Sequence, residues 1–151
     1  MRLIQFMSTE VETIAAEEDA AAAIEKMKRR GVRHLVVIRD GEMIGIVSQR
    51  DLGGRNASRF CADQTVQDLM VRSVTTAEPR TTVRQAANLM RGRGIGCLPV
   101  MKEGKLIGIV TTSDLLQLLG RGDESVHNKR SGRPPRERHH LPRLPRRWIL
   151  R

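Results

Sequence analysis

Aromatic residues are nearly missing from this chain: 151 residues include two Phe, one Trp and no Tyr. The stacking platforms on which single-stranded nucleic acid is usually held are therefore absent. A core has to be built from Ile, Leu, Val, Ala and Met. Cysteine is almost as scarce. Cys61 and Cys97 are too few for a disulfide framework or a structural zinc site, which fits a reducing compartment. No apolar run approaches the ~20 residues of a membrane span, and the opening MRLIQFMSTE lacks the apolar stretch of a secretory leader. The expectation is a cytoplasmic protein with no transmembrane segment.

Catalytic signatures are absent too. His34, His127, His139 and His140 have no metal-ligand spacing with acidic partners. No nucleophile is placed beside a base and an orienting acid. The glycine-rich Gly92-Arg93-Gly94-Ile95-Gly96 falls at the end of a predicted helix rather than its start, where phosphate would be bound. The chain does not read as an enzyme, and no metal or required cofactor is expected.

Charge is plentiful but uneven. The net charge is +10, yet residues 1–119 carry 17 Lys/Arg against 14 Asp/Glu, while residues 120–151 carry ten against three. The basicity belongs to a Pro- and Arg-rich tail over 120–151 that is expected to be disordered. A passive or partner-specific tail is the favoured reading. Contact with nucleic acid through 121–151 and contact with an anionic membrane through Trp148-Ile149-Leu150 are the alternatives.

What the chain does contain is a repeat. Residues 7–52 overlie residues 70–115 without a gap, each position shifted by 63, and 16 of the 46 pairs are identical. GEMIGIVSQRDL (Gly41 to Leu52) falls on GKLIGIVTTSDL (Gly104 to Leu115). A unit this short cannot bury its own apolar face, so two copies must close on each other around a pseudo-twofold cleft. The division is repeat 1 over 2–56, a linker over 57–64, repeat 2 over 65–119, then the tail.

Within each repeat the pattern predicts a short helical approach (Leu3–Met7, Val66–Met70) and a brief strand (Val11–Ile14, Val74–Ala77). A helix follows over Glu17–Arg30 and Thr81–Arg93, with Ala20, Ala23, Ile24 and Met27 forming one stripe. In the first copy, acids at the start and Lys26, Lys28, Arg29 and Arg30 at the end suit the helix dipole. A hairpin comes next, His34–Ile38 and Met43–Val47 in the first copy. A last helix begins at Asp51-Leu52 and again at Asp114. The fold class is α/β (α+β), two βαββα repeats.

Each hairpin runs into a hydroxyl and, three residues later, an aspartate: Ser48 and Asp51, Thr111 and Asp114. Two readings fit that spacing. It resembles a helix capping box. It also places a carboxylate, able to take two ribose hydroxyls, beside backbone N–H groups that favour an anion.

This double unit resembles a tandem pair of CBS (cystathionine-β-synthase) domains, a Bateman module. MxxxVxT…A…M…G…LPV…GxLIGIVTxxDLL is almost complete over Met70–Leu116. It is nearly so over Met7–Leu52, where Val36 replaces the proline that Pro99 supplies. The resemblance implies a stand-alone regulatory module that binds an adenosine nucleotide (AMP, ADP or ATP) or an S-adenosyl compound such as S-adenosylmethionine. It also implies a homodimer that signals to an unknown effector protein. The alternative is an interaction scaffold with empty clefts. Carried over by position, the ribose-binding aspartates fall on Asp114, with Thr111 and Ser113 beside it, and on Asp51, with Ser48. The basic pair that reaches phosphate is Arg33-His34 in repeat 1 but Gly96-Cys97 in repeat 2. The resemblance thus favours one cleft, with Asp114, Thr111, Ser113, Arg33 and His34, and adenine lying against Thr76, Ala77 and Ile95 on backbone hydrogen bonds. A weaker second cleft would comprise Ser48, Asp51, Thr13, Ile14 and Val32, with Arg50 standing where Ser113 stands in the other copy.

Overall fold

The computed structural model describes residues 1–54 and 63–127, with side chains up to Arg121. Repeat 1 contains a single 3-10 turn, Leu3–Gln5, then β1 (Thr13–Ala15), α1 (Ala20–Arg30), β2 (His34–Arg39) and β3 (Glu42–Ser48). Repeat 2 contains α2 (Val66–Leu69), α3 (Val83–Arg93), β4 (Cys97–Lys102), β5 (Lys105–Thr111) and α4 (Thr112–His127). β1 lies parallel to β2, and β2 antiparallel to β3, in one sheet. β4 and β5 form the second sheet. Both hairpins turn through two residues of positive φ, Asp40-Gly41 and Glu103-Gly104, the twist that matches tight antiparallel pairs. No helix among the described residues is long and apolar enough to cross a membrane.

The two copies are locked by exchange. The opening segment of each repeat packs on the other copy. Leu3, Phe6 and Met7 join the core of Ala86, Met90, Leu98, Val100 and Val110. Val66, Leu69 and Met70 join that of Ala23, Met27, Leu35, Val37 and Val47. Backbone bonds repeat with the same 63-residue offset: Leu3 N donates to Thr81 O (2.9 Å) and Val66 N to Glu18 O (2.8 Å). Ser8 bridges Ile109 as Val71 bridges Ile46. Reciprocal contacts of this kind are what a twofold relation requires. They also explain the shared Met7/Met70 and Gly45/Gly108. A Cβ on Gly108 would stand 2.7 Å from Met7 Sδ, and one on Gly45 2.5 Å from Met70 Sδ; both are closer than packed atoms tolerate.

Several expected elements differ. α1 starts at Ala20 rather than Glu17, because the backbone of Glu18 and Asp19 pairs with the strap at Val66 and Thr65; its first turn holds no acid. α3 likewise starts at Val83, capped by Thr82. The strand expected at Val11–Ile14 is shifted to Thr13–Ala15. Its counterpart at Val74–Ala77 is reduced to one bridge, Ala77 to Val100. Proline is the reason. Val36 N donates to Glu12 O and Ala16 N to Ile38 O, but the equivalent residues are Pro99 and Pro79, which have no N–H to give. Asp51–Gly53 form a turn, not a helix start, and the segment over 55–62 that holds most of the linker lies outside the described residues. At the other end, α4 runs on through His127, so the first eight residues assigned to the tail are helical. Residues 128–151 lie outside the description, and with them the expectations for Trp148-Ile149-Leu150.

Candidate functional site

The two hydroxyl–aspartate pairs have the same geometry. Asp114 Oδ2 accepts from Thr111 N (2.7 Å) and Thr111 Oγ1 (2.8 Å), and Asp114 N donates back to Thr111 Oγ1 (3.3 Å). Asp51 Oδ2 accepts from Ser48 N and Ser48 Oγ, both at 2.7 Å, and Asp51 N returns a bond at 3.2 Å. These are reciprocal caps, and the Thr111 pair sits at the start of the 16-residue α4. Capping occupies only one oxygen. A carboxylate offers about four acceptor positions, and Oδ1 of each aspartate has no partner among the described residues. Both carboxylates are half-buried. The two readings of the spacing are therefore compatible.

Arg33 and His34 stand where the copies meet. Arg33 Nη2 donates to Ser113 Oγ at 3.4 Å, so the first repeat's guanidinium is delivered to the second repeat's Thr111–Asp114 turn. His34 lies against the backbone of Gly96, its Cε1 and Nε2 both 3.3 Å from where a Cβ would be. Burial lowers the His34 pKa, with the positive charges of Arg33 and Arg50 adding to it and Asp51 opposing. Burial thus favours the neutral imidazole. Arg50 itself is exposed and does not fill a pocket. Both turns are laced to the strand opposite: Gln49 N donates to Arg33 O (2.9 Å) and Thr112 N to Gly96 O (3.0 Å).

The residues expected to line the rest of the site are distributed unevenly. Ile95 packs, half-buried, against the second core, and Thr76 is exposed. Ala77 is buried, and its backbone is already used: Ala77 N donates to Pro99 O (2.9 Å) and Ala77 O accepts from Met101 N (2.8 Å). Backbone hydrogen bonding to a ligand at Ala77 is thus closed off. The neighbouring backbone is open, since nothing among the described residues pairs with the carbonyls of Thr75 and Thr76. In repeat 1 the matching edge is occupied. Glu12 O accepts from Val36 N (3.0 Å), and Thr13 O accepts from Lys26 Nζ. Arg30 Nε lies 3.6 Å from Glu12 Oε1. Ile14 is buried in β1, and Val32 is half-buried behind α1.

Sequence reasoning grouped Lys26 with the charges that suit a helix end, and so missed its partner. The signal lay in the repeat alignment, where Leu89 stands opposite Lys26. A concavity of about 550 Å³ formed by Thr13, Ile14, Ala15, Glu17, Ile38, Arg39 and Asp40 lies at the hairpin end of β2, the other end from His34 and Ser48. Glu17 and Gln67 both hold Arg39 there. Cys97 is buried, its thiol pushed up to about 12 by burial, which disfavours the thiolate that a nucleophile or metal ligand needs. No group of three His, Cys, Asp or Glu that could hold a metal exists among the described residues.

The fold and site define a tandem-repeat module in which each copy carries a capped aspartate, and Arg33 of the first copy reaches the Thr111–Asp114 turn of the second. The chain belongs to the CBS-domain family, whose model matches residues 3–52 and 66–121. A CBS domain-containing protein of Dictyostelium discoideum is 34% identical over 128 residues, which is 76% of this chain and 88% of that one. Among solved structures, the CBS domain pair of protein MJ0100, in complex with 5'-methylthioadenosine and S-adenosyl-L-methionine, superposes with a TM-score of 0.73. It is 22% identical, covering 81% of this chain and 98% of that one; the likeness is one of fold. Protein MJ1225 from Methanocaldococcus jannaschii, a proposed archaeal homologue of g-AMPK, gives a TM-score of 0.68 at 25% identity. That match covers 78% of this chain and 47% of MJ1225.

Proposed function

We propose that this chain is a regulatory module that binds an adenosine compound, a nucleotide or an S-adenosyl compound, in the cleft around Asp114. It would pass the binding event to a partner protein. The observation that carries the reading is the arrangement at Asp114. One carboxylate oxygen is spent on the Thr111 cap and the other is unpaired, at the start of α4, with Arg33 brought in from the other repeat. Oδ1 can take the ribose hydroxyls, while Arg33 and the first N–H groups of α4 suit phosphate. Thr76 presents a carbonyl on the outer edge to which the amino group of adenine can donate. The methylthioadenosine and S-adenosylmethionine bound by the MJ0100 pair support the ligand class. The Asp51 cleft, with its backbone edge occupied, is the weaker one. Such ligands circulate in the cytoplasm, where this reading places the protein.

Ligand can bias the module only through unequal affinity for its conformations. A dimer is the natural way to read that bias out. Leu116 and Leu119 of α4 are 63% and 72% exposed, beside an apolar hollow of about 410 Å³ among Met1, Val83, Ala87, Leu115 and Leu118. A second copy covering this face would make the homodimer, which sedimentation of the full chain tests directly.

The test of ligand class is a thermal-shift panel with AMP, ADP, ATP, S-adenosylmethionine and GTP as control. Ligand at 100 times Kd adds ~2.7 kcal/mol, several degrees for a chain this size. A shift with an adenosine compound that Asp114→Ala removes is the expected result. No shift with any of them rejects the reading in favour of an interaction scaffold.

A further inference from the structure

We infer that Lys26 closes the first cleft, so that the pair carries one adenosine ligand per chain rather than two. This rests on the reading of the clefts given above. The two backbone edges are the same by sequence register, yet they are not equivalent. Even-numbered residues of the first edge, Glu12 and Ile14, point their carbonyls at β2. Glu12 O accepts from Val36 N there. The Thr13 carbonyl therefore faces away from the sheet, where a ligand could meet it, and it is taken by the ammonium of Lys26. In repeat 2 the residue 63 positions on is Leu89, which has no donor and packs half-buried against the second core. The Thr76 carbonyl is left without a partner among the described residues.

A carbonyl facing a cleft is the acceptor that the exocyclic amino group of adenine needs. Lys26 supplies a donor of the same kind with a full charge, and charge-assisted bonds are the stronger ones. It is also tethered to the chain, so it loses no translational freedom when it occupies the site. An incoming adenine would have to displace it and leave a half-buried ammonium without its acceptor. Arg30, against Glu12 at 3.6 Å, crowds the same edge with a second cation from α1. The Asp51 cap itself is intact, with the same distances as at Asp114 within 0.1 Å. What silences the first cleft is thus its base-binding edge and not its ribose-binding carboxylate.

The experiment is equilibrium dialysis of the full chain with AMP and with S-adenosylmethionine, reading moles bound per mole of chain. The unaltered protein should bind one equivalent, lost in Asp114→Ala and kept in Asp51→Ala. Lys26→Leu, which installs the residue that repeat 2 already tolerates, should bind two, the second lost when Asp51→Ala is added. Lys26→Met serves as the replacement if the leucine variant does not fold. One equivalent in a folded Lys26 variant, or two in the unaltered protein, overturns the inference and leaves the ligand reading standing. No binding of either compound to the unaltered protein removes the ligand reading itself.

Discussion

Arg33 reaches from the end of α1 in the first repeat to the hydroxyl of Ser113 in the second, Nη2 to Oγ, at 3.4 Å. The bond is long, and both residues are exposed. Such a contact contributes little to stability, but it holds a guanidinium beside the Thr111–Asp114 turn, where, on the proposed reading, a phosphate would replace the serine.

The first expectation concerns that guanidinium. Arg33→Ala should weaken AMP or ATP binding by about tenfold or more, the worth of a hydrogen bond to a charged group. S-adenosylmethionine, which has no phosphate, should lose much less. Calorimetric titration of both ligands checks this. An unchanged melting temperature would confirm that the loss is not one of folding.

The two aspartates should separate stability from binding. Asp114→Ala removes a cap of α4 and should cost about 0.5–2 kcal/mol, with ligand-dependent stabilisation abolished. Asp51→Ala should cost a similar amount or less and leave the ligand effect in place. Denaturant melts with and without AMP read both quantities at once.

Pro99 offers a test of the open edge. Pro99→Val restores the N–H that Val36 uses in the first repeat, and so pairs the Thr75 carbonyl. The added bond is worth about 0.5–1.5 kcal/mol, while losing proline costs about 0.4–1 kcal/mol through the unfolded chain. Stability should be nearly unchanged, and nucleotide affinity should be kept, because the Thr75 carbonyl faces β4 and the Thr76 carbonyl on the outer edge is untouched. An affinity that falls would show that the base is held at the inner edge instead.

The glycines under the straps should be intolerant. Gly45→Ala and Gly108→Ala each drive a methyl into a methionine and a backbone carbonyl, overpacking that costs about 1–3 kcal/mol. Gly92→Ala, on an exposed turn of α3 with open space around it, should instead gain about 0.5–1 kcal/mol. Chemical denaturation of the three variants side by side decides it.

His34 sets a pH dependence. Its folded pKa lies below the ordinary 6.5 because of burial, then Arg33, with Asp51 pulling the other way and Arg50 adding to the depression. Its contribution to stability is present above about pH 6.5 and is lost as pH falls through the depressed value. Glu17 and Asp68, both held low by hydrogen bonds to Arg39 and Thr65, lose theirs only at lower pH. Melting temperature should therefore fall between pH 7 and 5, and His34→Gln should flatten that slope.

Much of this was legible in the chain. The 63-residue register placed both hairpins within a residue, and spacing alone located Ser48–Asp51 and Thr111–Asp114. The straps were not legible, because an apolar segment such as Leu3–Met7 does not declare which core it will cover. Lys26 was hidden for a different reason. A cation near a helix end satisfies the dipole argument so readily that its acceptor, thirteen residues earlier, goes unsought. The prolines at 79 and 99 were visible, but their effect follows only when the partner of each missing N–H is known. The extension of α4 past Gly120 and Gly122 ran against composition. One glycine inside a helix costs only about 1 kcal/mol relative to alanine, which a helix already under way can absorb.

The exchanged straps bear on how this molecule holds together at low abundance. A polypeptide carrying one repeat would leave its core short of a cover until a second polypeptide arrived, and its folding would weaken on dilution. Here the covers at Leu3 and Val66 travel on one chain, so each core finds its lid at an effective concentration fixed by the connection between them. Closure of the two halves is thereby independent of how many copies the cell makes.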